Sequence, residues 1–188
     1  MAKEIEIFQI DAFTSEAFNG NPAGVTLSND LSENEKQLIA KEMNLSETAF
    51  ISNSAIADYK LQWFTPTKEV NLCGHATIAS LHFLFEKSMI SSRQNISFET
   101  LSGIINCSRE DGKYFMQIPT PQLDGFDGCK EEILEAIGID AVDVSDLPFI
   151  LLDNGYIFIS VNSLDVLLKI KPDYKKLQEF SDIQKELL

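Results

Sequence analysis

The sequence predicts an α+β protein organised around one buried helix, with strands drawn from residues 1–118 set about it. Three observations lead there. Ala76 to Phe85 contains no charged residue and places apolar side chains on every side of a 3.6-residue wheel, so this helix must be enclosed on all sides. About ten residues are too few to cross a bilayer, so Ala76–Glu86 is read as a central core helix rather than a membrane span. Runs of strand character bounded by turn residues lie on both sides of it, and Pro119-Thr120-Pro121-Gln122-Leu123-Asp124-Gly125 is the clearest linker. The expected organisation is a first domain at 1–118, a linker at 119–125 and a partial second domain at 126–188.

Taken in order, Glu4 to Phe13 alternates and then changes phase, the pattern of a strand with a bulge. Phe18-Asn19-Gly20-Asn21-Pro22-Ala23-Gly24 is rich in breakers and reads as a loop that returns into a short strand at Val25 to Leu27. Ser32-Glu33-Asn34-Glu35 is a capping box, and Leu38, Ile39 and Met43 are expected on the packed face of the helix it starts, with Asn44 as the stop. Leu45 to Ile51 reads as a strand entered through a polar turn. Tyr59, Leu61 and Trp63 alternate with Lys60 and Gln62 on a half-buried strand that Thr65-Pro66-Thr67 ends. Gly74 and His75 are expected as the entry turn of the central helix. Asn95–Thr100, Gly103–Cys107 and Lys113–Ile118 form a meander, the last two joined through Asp111-Gly112. Beyond the linker come an amphipathic helix from Lys130 to Ile137 stopped by Gly138, strands at Phe149–Leu152 and Tyr156–Val161, a short helix capped by Ser163, and a charged helix from Asp173 to Leu188.

Composition excludes several classes. The net charge of −14 gives no basic face for nucleic acid. Cys73, Cys107 and Cys129 show no paired spacing, and with only two histidines there is no structural zinc pattern, so no metal is expected. The N-terminus runs straight into a strand pattern, no apolar run reaches membrane length, and a reduced, cytoplasmic protein is the default expectation.

Glu47 is the sharpest candidate for chemistry. It sits among Leu45, Ala49, Phe50 and Ile51, where partial desolvation suits a carboxyl group to proton transfer, though Ser46 and Glu47 also have the composition of a simple turn cap. His75 is suited either to orienting a substrate and sharing in proton transfer or to capping the helix. The first amides of that helix, at Gly74, His75 and Ala76, have no internal partner and suit a carboxylate or enolate oxygen. Cys73 is a thiol beside a helix N-terminus, a position that lowers thiol pKa, or simply a small buried residue. His82 reads as a core histidine bonded to backbone, and Cys107 and Cys129 carry no argument for function. Asn21 and its neighbouring glycines offer backbone amides to an anion, or only a turn.

Four motifs then occur in sequence: Phe18-Asn19-Gly20-Asn21-Pro22-Ala23-Gly24-Val25, Asn44-Leu45-Ser46-Glu47-Thr48-Ala49-Phe50, Trp63-Phe64-Thr65-Pro66 and Leu72-Cys73-Gly74-His75-Ala76-Thr77. Together they resemble the phenazine-biosynthesis PhzF-like family of isomerases, within the diaminopimelate epimerase and proline racemase superfamily. The resemblance covers Ile5 to about Leu123 well and the remainder loosely. It implies two similar domains, each a mixed sheet rolled round a central helix, with a site in the cleft between them. It also implies cofactor-independent proton transfer on a small carboxylate substrate. On this resemblance Glu47 is the catalytic carboxylate, Gly74 and His75 are the substrate-contacting turn, and Cys73 stands where racemases and epimerases of the superfamily carry a thiol.

The same resemblance implies a second central helix entered through an Asp-Pro-x-Thr-Gly-Ser-type loop, and no such motif occurs through Leu188. The chain is therefore expected to be C-terminally incomplete for its family, with a truncated second domain. Two functions follow: part of a PhzF-like isomerase or epimerase, or a catalytically inactive binding or assembly module. Unclosed sheet edges tend to pair, so a homodimer or swapped assembly is the expected state.

Overall fold

In the computed structural model, which describes residues 4–90, 95–118, 123–126, 128–145, 149–152 and 156–186, the chain divides into two compact units at Pro119/Thr120. The first unit contains Phe8–Ala12 (β1), Asn21–Leu27 (β2), Glu33–Met43 (α1), Glu47–Ser52 (β3), Tyr59–Phe64 (β4), Glu69–Val70 (β5), Gly74–Glu86 (α2), Asn95–Thr100 (β6), Gly103–Glu110 (β7) and Lys113–Met116 (β8). Its strands form one mixed sheet in the order β1-β2-β3-β4-β6-β7-β8, with β5 also paired to β4. The β2–β3 and β4–β6 pairs are parallel. Both ends of the sheet, β1 and β8, pack on α2 together with β2 and β3, so the sheet curls round the helix.

The strands beside α2 alternate faces strictly, and each face has its own cover. Ala49 and Ile51 of β3 and Leu61 and Trp63 of β4 share the inner core with Leu81 and Leu84 of α2. Phe50 and Phe64 point the other way and pack edge-to-face at 5.5 Å, against Ala40 and Ile39 of α1. Two covered faces explain why Ala49-Phe50-Ile51 reads as an unbroken apolar run.

Helix α1 begins at the expected capping box: the Glu35 amide donates to Ser32 Oγ at 3.3 Å, and the Ser32 amide donates to Glu35 Oε2 at 2.8 Å. Asn44 closes it in the left-handed conformation at φ 51°. Ile39 packs as expected, but Leu38 does not. Leu38 is 58% exposed, while Lys36 is buried. Lys36 tolerates burial because its Nζ donates to Glu33 Oε1 at 3.0 Å and to Gln62 Oε1 at 2.6 Å, and Gln62 Nε2 donates in turn to Glu33 and Glu69.

Helix α2 also differs from expectation in two ways. It starts at Gly74, so Gly74 and His75 are its first helical residues rather than a turn ahead of it. It is not enclosed on every side: Ile78, His82 and Phe85 are half-buried along one stripe. That stripe lies at the seam between the two ends of the curled sheet, where Ile10 to Thr14, Ile78, Ala79, His82 and Tyr114 line a small cavity. Among the described residues His82 accordingly bonds to Tyr114 Oη through Nδ1 at 2.9 Å rather than to backbone as expected.

The loop expected at Asn21 to Gly24 is strand. Pro22 is accommodated because the β2–β3 ladder begins only at Ala23↔Glu47, leaving Pro22 opposite Asp11 of β1 alone. Gly24 faces Thr48 so closely that a β-carbon there would meet the Thr48 side chain at 3.0 Å. Gly20 adopts φ +82°, and a β-carbon on it would run into the Ala12 carbonyl oxygen. Gly20→Ala is expected to lower stability by more than about 1 kcal/mol, because alanine must bear both the left-handed backbone and that contact. Urea melts with unchanged slope and a lower midpoint are the expected reading; an unshifted midpoint would show that the β1–β2 turn relaxes freely.

The second unit holds Leu123–Gly125 (β9), Lys130–Ile137 (α3), Ile150–Leu152 (β10), Ile157–Phe158 (β11), Leu164–Lys169 (α4) and Tyr174–Glu186 (α5). Leu123–Gly125, expected within the linker, pair with β10 as the edge of a three-stranded antiparallel sheet. The remaining linker residues 119–122 and the Asp153-Asn154-Gly155 turn lie outside the described residues. Both strands after α3 are shorter than the sequence pattern. A separate small core gathers Phe126, Ile133, Leu134 and Phe149, with Ile157, Ile159 and Phe180 against it.

Candidate active site

The N-terminal edge of β3 and the N-terminus of α2 meet in the first unit. β3 is held there by β2 on one side and β4 on the other, with Ala23↔Glu47 as the first β2–β3 rung and Thr48↔Phe64 as the first β3–β4 rung. Glu47 shares the face of Ala49 and Ile51, so its carboxylate points toward α2. Cys73 is the N-cap residue of α2, fixed by its carbonyl, which accepts from the Thr77 amide at 3.3 Å and the Thr77 hydroxyl at 2.5 Å.

Three side chains converge at this junction. His75 Nε2 lies 3.5 Å from Glu47 Oε2 and 3.4 Å from Ser46 Oγ, while His75 Nδ1 lies 3.4 Å from Cys73 Sγ. The imidazole thus bridges a thiol on one edge and a carboxylate and hydroxyl on the other. With the proton on Nε2, the imidazole donates to Ser46 Oγ, keeps its N–H edge toward the Glu47 carboxylate, and leaves Nδ1 to accept from the thiol. The His75 side chain is 9% exposed and that of Glu47 21% exposed, so Glu47 is the member that reaches solvent.

Of the two readings of Cys73, the small buried residue is the one the fold bears out, and the thiol is not activated by the helix start. Burial pushes it from 9.0 up to about 12, and the Glu47 charge adds to the rise. The Ala76 and His75 amides pull the other way without making a cap hydrogen bond, and they do not offset the desolvation. Cys107 is pushed up to about 12 by burial alone, whereas Cys129 is exposed. In the native protein, one thiol of three is therefore expected to react quickly with a disulfide reagent near neutral pH, and denaturation to release the other two. Rapid labelling of Cys73 in the native state would contradict the burial argument. Because the folded thiols keep their protons where unfolded ones lose them, stability is full below pH 9 and is expected to fall as pH climbs toward about 12.

The other expected site residues are less closely joined. Gly74 supplies the first helical amide, and Ala76 is fully buried. Asn21 is exposed and lies two residues before Ala23, on the Glu47 face of the sheet; among the described residues it makes no hydrogen bond to the cluster. Ser46, which reads in the sequence as a turn residue, joins the site through His75. Its only signal in the sequence is adjacency to Glu47, since its partner His75 lies beyond β4 and β5.

The chain matches the family model for phenazine biosynthesis-like proteins over residues 10–187 and belongs to that family. It is 40% identical over 185 residues to a Bacillus subtilis protein named as the uncharacterised isomerase YfhB, an alignment covering 94% of this chain and 63% of that one. Among solved structures, a PhzF-family protein of Bacillus anthracis superposes with a TM-score of 0.80 at 34% identity, covering 92% of this chain and 60% of that one. A hydroxyproline epimerase from Agrobacterium vitis shares the fold alone, at 13% identity and a TM-score of 0.58. The chain thus spans less than two thirds of the length of these relatives. No helix among the described residues is long and apolar enough to cross a membrane.

Proposed function

We propose that this chain carries the proton-transfer half of a cofactor-independent isomerase or epimerase acting on a small carboxylate. The observation that carries the reading is the pairing of Glu47 with His75 at the start of a buried helix. Glu47, the more exposed of the two, removes a proton from a carbon beside the substrate's carboxylate or carbonyl and returns it at the same or another position. His75 and the free amides of the first α2 turn stabilise the enolate-like oxygen that forms. Names of the relatives support isomerisation in general; the carboxylate substrate and the lack of a cofactor are this proposal's own.

A substrate-independent experiment tests it. The chain is incubated in deuterium oxide with panels of amino, hydroxy and unsaturated carboxylates, and loss of one carbon-bound proton is followed by NMR. Exchange confined to one class is expected, while silence across panels in which a full-length relative exchanges would place catalysis outside this chain. A second reading, an inactive binding or assembly module, draws on β1 and β8, which end the sheet with one ladder partner each among the described residues. A homodimer through such edges is proposed with either reading, and a sedimentation coefficient that stays monomeric at micromolar concentration would exclude it.

A further inference from the structure

We propose that Glu47, Cys73 and His75 form a binding site for a zinc-class divalent ion, and that an ion held there blocks the proton-transfer site. One donor atom from each residue lies within 4.8 Å of the other two. A thiolate, an imidazole and a carboxylate are the ligands of borderline-soft ions, whereas magnesium and calcium require shells of oxygen that one carboxylate does not supply.

The separation of the two helix donors fits an ion as well as it fits a hydrogen bond. Bonds of about 2.3 Å to sulfur and about 2.1 Å to nitrogen at a tetrahedral angle place the two donors about 3.6 Å apart. Cys73 Sγ and His75 Nδ1 stand 3.4 Å apart. These two donors belong to the cap and first turn of one helix, and the Cys73 carbonyl is pinned by both the amide and the hydroxyl of Thr77. Glu47 supplies the adjustable donor: its side chain is the most exposed of the three and can close on an ion by rotation. Its carboxylate also gives the ion its route from solvent.

Binding balances without any further reagent. The Cys73 S–H bond breaks as the sulfur–metal bond forms, and the proton leaves to solvent. His75 ligates as the neutral imidazole and keeps the proton on its other nitrogen. The fourth position is left to water. Ion binding needs only the three donors; that it stops turnover rests on the proton-transfer role given to Glu47.

Cobalt(II) is the probe. Titrated anaerobically into the full chain, it is expected to give a thiolate-to-cobalt charge-transfer absorption saturating at about one equivalent, and zinc(II) should displace it. Cys73→Ala and Cys73→Ser should both lose the absorption, and Cys129→Ala should keep it. His75→Ala and Glu47→Gln should weaken binding by at least the roughly 10–100-fold that loss of an outer-shell partner costs. No absorption, or an absorption that survives both Cys73 variants, overturns the site. In protein active in the deuterium assay, zinc at saturating occupancy should stop exchange. Occupancy with exchange intact would overturn the blocking role. A cobalt site in protein that never exchanges supports the site and counts only against the proposed reaction.

Discussion

Glu47→Gln is expected to reduce carbon–hydrogen exchange by on the order of 10²-fold or more, the usual loss when a positioned acid–base group is removed. Glutamine keeps the size of glutamate and a hydrogen-bonding oxygen, so β3 and its ladder to Ala23 are retained. What it lacks is the ability to take up and release a proton at working pH. The Ser46 hydroxyl remains the hydrogen-bond partner of His75 Nε2, so the histidine need not move. A structural role predicts a different outcome: a lower melting midpoint with exchange unchanged per folded molecule. Comparing the variant's urea midpoint with its exchange rate separates the two, and an unchanged rate would reduce Glu47 to a turn residue.

Leu81→Ala is expected to destabilise the first unit by about 2–5 kcal/mol, the range for truncating a buried leucine in a core that cannot fully collapse. Leu81 is fully buried on α2, in one core with strand residues such as Ala49, Trp63 and Phe98. The sheet that curls round α2 is tied by its own ladders and cannot simply contract onto a smaller helix. Against a typical stability of roughly 5–15 kcal/mol, such a loss removes a large fraction of the whole. The control is Leu38→Ala on α1, where the side chain is 58% exposed and little change is expected. If Leu81→Ala and Leu38→Ala shifted the midpoint equally, α2 would not be the centre of the fold.

Much of this protein was legible because its causes are local. The Ser32–Glu35 box starts α1 through contacts spanning three residues, and the Asp111-Gly112 pair turns β7 into β8 with φ of 49° and 78°. The charge-free run in α2 reports burial whatever surrounds it, and the four family motifs named the fold. Glu47 and His75 stand out from their own neighbours in the chain, and the resemblance implies their roles.

Other features depend on which distant segments meet. Lys36 is buried and Leu38 exposed because Gln62 of β4 happens to face Lys36, and hydrogen bonds from another strand leave no mark on the helix's own periodicity. Ile78 and His82 remain half-buried because β1 and β8 do not meet over them, which is a property of sheet closure rather than of α2. The Cys73 thiol is raised instead of lowered because enclosure by the core and the charge of Glu47 outweigh two nearby amides. Sequence alone determined the helices and most of the strands of the first unit, since backbone preference acts over one or two turns, whereas the extended backbone at Asn21–Gly24 and Leu123–Gly125 came from strand pairing. Only the tertiary structure decided that Ser46, Glu47, Cys73 and His75 share one junction, because burial and electrostatics fall off with distance in space and not with separation along the chain.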